Sequence, residues 1–189
     1  MKEDIRIRKS KNALKRALFE GIIKKDFNKI TVSELCKSAN VNRSTFYSNY
    51  EDLQALLSDI HNDFFEEMMK YAFSESKAMT VNYELINNTL LGMTRYIENN
   101  KKIVQILFRH GNQQLLEKDM IHYFLDRLYS KTANKVDSYH FLYHTLAFFS
   151  LLNTWIKDDF PCSADHLAQI IIEEAKTFHE NIQQTKENH

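Results

Sequence analysis

Apolar positions recur every three to four residues along most of the chain, the spacing of one helix face, and the positions between them are rich in Lys, Glu and Asn. The pattern predicts a first helix from about Ile7 to Lys25, with Ala13, Leu14, Ala17, Leu18, Gly21 and Ile22 inward. Phe27 and Ile30 close a short connection. Thr31-Val-Ser-Glu34 then has the form of a capping box, in which the Thr31 hydroxyl accepts from the Glu34 N–H and the Glu34 carboxylate reaches back. It opens a short second helix with Val32, Leu35 and Cys36 inward and Ala39 at its end. Asn40 stands where a left-handed backbone is needed, and Asn tolerates that conformation better than most non-glycine residues. Val41 turns inward. Asn42 is placed to cap a third short helix, Arg43 to Ser48, anchored by Phe46.

Residues 49–52 lead into a long fourth helix reaching about Tyr71, with Leu53, Leu56, Leu57, Ile60, Phe64 and Met68 on one face and Asp52 at its N3 position. Five more helical stretches follow near Val81–Glu98, Lys101–Phe108, Gln113–Thr132, Ser138–Ile156 and Ala164–Asn181, the last break being marked by Pro161 and Ser163. The 189 residues contain three Gly and one Pro, too few turn residues for a sheet protein. The expected fold is all-α with about nine helices. Residues 1–52 are expected to form a helix-turn-helix domain and residues 53–189 a C-terminal helical domain.

A net charge of zero argues against nucleic-acid binding only until its distribution is read. Residues 1–50 hold 12 Lys/Arg against 5 Asp/Glu, and residues 51–189 hold 13 against 20. A basic module on an acidic body follows, with Arg6, Arg8, Lys9, Lys11, Lys15 and Arg16 along the first helix. Met1-Lys-Glu-Asp is charged with no apolar stretch behind it, so a cytoplasmic protein is expected, with Cys36 and Cys162 unpaired. The longest charge-free run, Ser138 to Ile156, is near membrane-span length but carries Tyr139, His140, Tyr143, His144, Ser150, Asn153 and Thr154. A buried or interfacial helix is expected there, with no membrane partner.

A helix of about eight residues, a three-residue turn and a short second helix is helix-turn-helix geometry, which places the start of the second helix at base edges in the major groove of duplex DNA. Those residues are Asn42, Arg43, Ser44 and Thr45. Arg43 matches guanine O6 and N7, Ser44 suits several bases, and the Asn42 amide matches adenine when its capping task releases it. Thr45, Tyr47 and Asn49 carry groups suited to phosphate oxygens, and Thr31 stands at a helix N-terminus where N–H groups favour a phosphate.

Residues 31–57, TVSELCKSANVNRSTFYSNYEDLQALL, resemble the signature of TetR-family regulators: a Thr-capped helix, Ala-Gly-Val, a recognition helix ending Phe-Tyr, an aromatic-x-Asp segment and Leu-Leu. The resemblance implies a homodimer with N-terminal DNA-binding domains, palindromic double-stranded operators, and a body that often holds a small effector. It puts Thr31, Thr45, Tyr47 and Asn49 on phosphate-contact positions and Arg43 and Ser44 on base-contact positions. Three positions depart from the family pattern: Asn40 replaces Gly, Leu53 replaces a Lys, and Asn49 replaces the His of many members. The Asn-Arg-Ser-Thr-Phe-Tyr run also resembles the branch that includes dihydroxyacetone-kinase operon activators.

The family's last two helices form a four-helix dimer bundle. By that likeness the interface candidates are Phe141, Leu142, Leu146, Phe149, Leu152, Asn153, Leu167, Ile170, Ile171 and Ala175, with Asn153 fixing register. The alternative for each is intramolecular core. Tyr96, Phe108, Phe124, Phe148 and Trp155, with Met79 and Met93, are candidates to line an effector pocket, although such stripes are more often core. His140 and His144 have metal-pair spacing but no third ligand, and His110 and His122 read as structural. With no nucleophile–base pair and no phosphate loop, neither enzyme nor cofactor is expected. A small-molecule or protein effector is expected; the rival reading is a DNA-binding accessory protein with no ligand switch.

Overall fold

The computed structural model describes residues 5–74, 83–110, 112–128 and 135–174. Among them the chain is all-α, with α1 (Ile5–Lys24), α2 (Val32–Ala39), α3 (Arg43–Tyr47), α4 (Leu53–Ser74), α5 (Tyr83–Asn99), α6 (Lys101–His110), α7 (Gln113–Leu128) and α8 (Lys135–Lys157). A ninth helix, α9, covers 164–174, and the turn Phe27–Lys29 joins α1 to α2 as a short 3-10 helix. The nine helices answer the nine periodic stretches; the ends expected at Val81, Thr132 and Asn181 lie outside the described residues, and the others are displaced by at most a few residues. The chain divides into two compact units, Met1–Phe64 with Lys102–Tyr123, and Phe65–Lys101 with Phe124–His189.

In the first unit, α1 buries Leu14, Ala17, Leu18 and Ile22, while Ala13 and Gly21 of the expected face are half-buried. Phe27 and Ile30 are buried beside them, and α2 packs on α1 and α3 through Leu35 and Cys36. Helices as short as α2 and α3 do not persist alone in water. Burial of these side chains, each worth roughly 1.5–3 kcal/mol when complete, is what holds them.

The ends of α2 follow from local chemistry. The Glu34 N–H donates to Thr31 Oγ1 at 3.3 Å and the Thr31 N–H to Glu34 Oε2 at 3.1 Å, which completes the capping box. Asn40 is left-handed (φ 51°, ψ 45°), and this reversal lets the Val41 N–H reach the Cys36 carbonyl at 3.0 Å.

Two caps differ from expectation. Asn42 occupies the N-cap position of α3 with extended backbone, but its side chain makes no capping hydrogen bond. Asp52 is the N-cap of α4, not its N3 residue: its carboxylate accepts from the Ala55 N–H at 2.8 Å, three residues on. The long helix therefore starts at Leu53, a turn later than the sequence pattern suggests.

Helix α4 buries Leu56, Leu57 and Met68 as expected, but Leu53, Ile60 and Phe64 are only half-buried. His61, Phe65, Met69 and Ala72 are buried instead. The helix contributes to both units, so no single stripe describes it.

In the second unit, Met93 and Ile97 of α5, Phe148, Phe149, Leu152, Trp155 and Ile156 of α8, and Ala164, Leu167 and Ala168 of α9 are buried. The α8–α9 corner is fixed by several bonds. Trp155 Nε1 donates to the Cys162 carbonyl at 2.9 Å, and its ring meets Phe160 edge-on, 4.6 Å between centroids. Arg95 grips Asp165 with two hydrogen bonds, at 2.7 and 3.1 Å. Ser163 Oγ accepts from the His166 N–H at 3.2 Å and Glu98 Oε1 from the Ala164 N–H at 3.1 Å, which satisfies the first donors of α9. Among the described residues no helix is long and apolar enough to cross a membrane.

Candidate nucleic-acid interface

Helix α3 is oriented by what it buries. Phe46 is fully enclosed and Tyr50, just beyond the helix, nearly so, with their rings 6.0 Å apart. The Tyr50 N–H donates to the Phe46 carbonyl at 2.9 Å. The opposite side is left outward: Asn42, Arg43, Ser44 and Tyr47 are exposed, and Thr45 and Asn49 are half-buried. Tyr47 is steadied by an edge contact with Phe46 at 5.2 Å between centroids.

Three side chains already have local work. Asn49 Nδ2 donates to the Thr45 carbonyl at 2.7 Å, so the donor that would meet a phosphate holds the end of α3. Ser48 Oγ donates to the Ser44 carbonyl at 2.9 Å. The Thr31 hydroxyl donates to Glu34 Oε2 at 3.0 Å, and Lys25 Nζ donates to that same oxygen at 2.9 Å. The hydrogen bond from Lys25, then those from Thr31, hold the Glu34 carboxyl below the usual range. At Cys36, burial pushes the thiol up more strongly than the positive charge of Arg43 pulls it down, so it stays protonated beneath the turn.

Behind α3 lies a polar cluster that the sequence reading did not single out. The Tyr50 hydroxyl donates to Asp59 Oδ2 at 2.6 Å, and Lys15 Nζ lies 3.0 Å from that oxygen and 2.7 Å from Asp63 Oδ2. Lys11 Nζ sits 5.8 Å from the centre of the Tyr50 ring. A signal was present: Lys11 and Lys15 are spaced i,i+4 on α1, and Asp59 and Asp63 match that spacing on α4. Further along the first unit, buried His61 places Nδ1 2.7 Å from Asp119 Oδ2 of α7.

The other candidates are scattered. Of those for the dimer interface, Phe149, Leu152 and Leu167 lie in the chain's own core, Leu142, Asn153 and Ile171 are half-buried, and Leu146 and Ile170 are exposed. Tyr139, Tyr143 and Leu151 of α8 are exposed as well. Ala175 and the Phe141 side chain lie outside the described residues. Of the pocket candidates, Phe108 is buried in the first unit, whereas Phe148, Trp155 and Met93 are buried in the second. Tyr96 is half-buried, its ring 5.7 Å from that of Tyr71. Met79 and the Phe124 side chain are outside the described residues.

Residues 84–177 match the family model described as the transcriptional regulator C-terminal region of TetR-type proteins. No curated protein matches the chain significantly. Among solved structures, a TetR transcriptional regulator from Streptococcus agalactiae is 22% identical with a TM-score of 0.61, over 90% of this chain and 95% of that one. A TetR-family regulator from Syntrophomonas wolfei is 14% identical with a TM-score of 0.61, over 90% and 95%. The dihydroxyacetone kinase operon activator DhaS is 17% identical with a TM-score of 0.52, over 89% and 94%. The matched C-terminal region is similar to that of TetR-type transcriptional regulators, and the fold is shared with the solved structures of such proteins. The likeness to DhaS is one of several at similar distance and does not single out that branch.

Proposed function

We propose that the chain is a homodimeric regulator that reads a palindromic operator through Arg43, Ser44 and Asn42. Thr31, Thr45 and Tyr47 meet phosphates. The observation that carries this reading is the orientation of α3, which buries Phe46 and turns Arg43, Ser44 and Tyr47 outward. Asn42, which makes no capping bond, keeps its amide for a base. Asn49 and Thr31 are the weakest of the contacts, because their side-chain donors are held by the Thr45 carbonyl and the Glu34 carboxylate. Residues 1–52 serve as the DNA-binding module, and the exposed Arg6, Arg8, Lys9 and Arg16 of α1 add sequence-independent attraction.

The partner face consists of Tyr139, Tyr143 and Leu146, which share one stripe of α8, with Ile170 of α9; all four are exposed in the single chain. Regulators of this family generally act as dimers under effector control. An effector bound in the body would change the separation of two heads that must meet half-sites about one helical turn apart. Aromatic side chains near Tyr96 and Tyr71 are the place to seek it. Selection of bound duplexes from a random pool tests the reading directly. It should enrich a palindrome whose half-sites are about one helical turn apart or a multiple of that. Enrichment of nothing would remove operator reading, and enrichment of a bent or A·T-rich site without symmetry would favour an accessory, architectural role.

A further inference from the structure

We propose that Asp59 is a positioning residue for DNA recognition, acting through Tyr50 on the recognition helix α3; this rests on the operator-reading function above. Two linkages join at one carboxylate oxygen. Tyr50 donates its hydroxyl to Asp59 Oδ2 at 2.6 Å, and Lys15 approaches the same atom at 3.0 Å. Tyr50 is in turn tied to the end of α3, by its N–H to the Phe46 carbonyl and by ring packing on Phe46. The α3 helix has five residues, too few to define its own axis firmly. Its direction is therefore set by Phe46 in the core and by Tyr50 on the α4 carboxylate.

The geometry distinguishes orientation from attachment. Phe46 is fully buried and holds α3 to the body whether or not the Tyr50 hydroxyl is present. The hydroxyl adds one directional bond to a charged acceptor, and such bonds fix geometry more sharply than apolar contact does. Base reading needs side chains placed to a fraction of an ångström, whereas attraction to phosphates tolerates small rotations. Loss of the Tyr50–Asp59 bond should then lower discrimination between sequences more than it lowers affinity for DNA in general. Neither side chain is among the groups proposed to touch DNA, and Tyr50 is buried.

The test uses the full-length chain and two duplex probes: the sequence that the unaltered chain enriches from a random pool, and an unselected random duplex. The readout is the ratio of the two affinities in Tyr50→Phe, Asp59→Asn, Lys15→Met and Lys15→Arg, with melting temperature recorded beside it. We expect Tyr50→Phe and Asp59→Asn to reduce that ratio about fivefold or more, with binding to the random duplex little changed. Lys15→Met should reduce it too, and Lys15→Arg, which keeps the charge on Asp59, should preserve it. A purely structural role lowers the melting temperature and weakens both probes together, leaving the ratio intact; that outcome overturns the proposal. If the unaltered chain enriches no sequence, the operator-reading function itself fails and the inference goes with it.

Discussion

A Cβ built on Gly92 of α5 lies 2.6 Å from the Cα of Ala72 in α4, and 3.3 Å from its carbonyl oxygen. The obstacle is backbone, so accommodation requires the helices to separate. In helix interiors Ala is favoured over Gly by about 1 kcal/mol, but overpacking a tight contact costs about 1–3 kcal/mol. Gly92→Ala should be net destabilising, read as a lower urea midpoint. Gly21→Ala is the contrast: its new Cβ meets only the end of the Ile30 side chain, at 3.1 Å. There the helix preference should offset the small displacement, leaving stability within about 0.5 kcal/mol of the original. Equal losses at the two positions would show that the α4–α5 contact is looser than these distances indicate.

The capping box at the start of α2 gives a second prediction. Thr31→Ala removes the acceptor of the Glu34 N–H and one donor to the Glu34 carboxylate, and should cost about 1 kcal/mol of stability. Thr31→Ser keeps both bonds and should recover most of it. Chemical denaturation of the three chains decides the matter; a stable Thr31→Ala would mean that Lys25 and Glu34 hold the turn without the hydroxyl.

The Lys15–Asp59 pair predicts a pH response. At Asp59, burial pushes the carboxyl up, but the hydrogen bonds from Tyr50 and Lys15 and the charges of Lys15 and Lys11 together outweigh it and bring it below the usual carboxylate range. A carboxyl lowered by folding contributes stability that is present above its unfolded value and lost as pH falls through its folded one. At Lys15, burial opposes the charge, yet the hydrogen bonds that its ammonium donates to Asp63 and Asp59, with the charges of both, outweigh it and the amine is raised. Its contribution is full below the unfolded lysine value and is lost as pH rises through the folded one. The pair's contribution should thus be flat across neutral pH and fall away in acid below the ordinary Asp range and in alkali above the ordinary Lys range. Denaturation midpoints of Asp59→Asn against pH should lack the acid part of that fall. An unchanged acid limb would mean that other carboxylates govern it.

What the sequence disclosed follows the range of the interactions involved. Thr31, Glu34, Asn40 and Phe46 obey rules that operate within a turn of helix, and their roles were legible from spacing alone. Asp52 departs from the same kind of rule, because several polar residues in succession can each serve as a cap and only the backbone selects one, whereas Asn42 holds the expected N-cap position but makes no side-chain bond there. His61 and Asp119 are 58 positions apart, and Tyr50 finds Asp59 only because α3 and α4 fold back on each other. Periodicity carries no such information. It also cannot say what covers an apolar face: Phe149 and Leu152 face the chain's own core, while Leu146 on the same helix is exposed, though all three read alike. Side-chain chemistry nominates DNA-facing residues without seeing local acceptors, as where the Thr45 carbonyl takes the Asn49 donor.

Arg43 and the basic row on α1 separate two parts of DNA affinity. Arg43→Ala should cost about 1–3 kcal/mol on the selected duplex and relax preference at one operator position per half-site. Salt acts on the other part: log affinity should fall by about 0.9 per unit of log salt concentration for each neutralised phosphate. Arg43→Ala should leave the slope nearly as it was if Arg43 meets a base, and reduce it by about 1 if Arg43 meets a phosphate. Binding titrations across a salt series distinguish these outcomes, and a flat series for the unaltered chain would argue against duplex DNA as the partner.

The dimer face is open to a positional test, because α8 exposes apolar residues on more than one side. Tyr139, Tyr143 and Leu146 follow i, i+4, i+7 spacing and so share a stripe, whereas Leu151, five residues beyond Leu146, points well away from it. Leu146 and Leu151 are nearly equally exposed, at 42% and 43%, so exposure alone cannot rank them. If the stripe with Ile170 meets a second copy, Leu146→Glu combined with Ile170→Glu buries uncompensated charge at the contact and should shift the chain to monomer in sedimentation. Leu151→Glu should sediment as the unaltered chain does. Loss of the dimer should also weaken operator binding steeply, since one head alone contacts one half-site. A double variant that remains dimeric would move the interface off this stripe, and dissociation by Leu151→Glu would show that the contact uses the neighbouring side of α8.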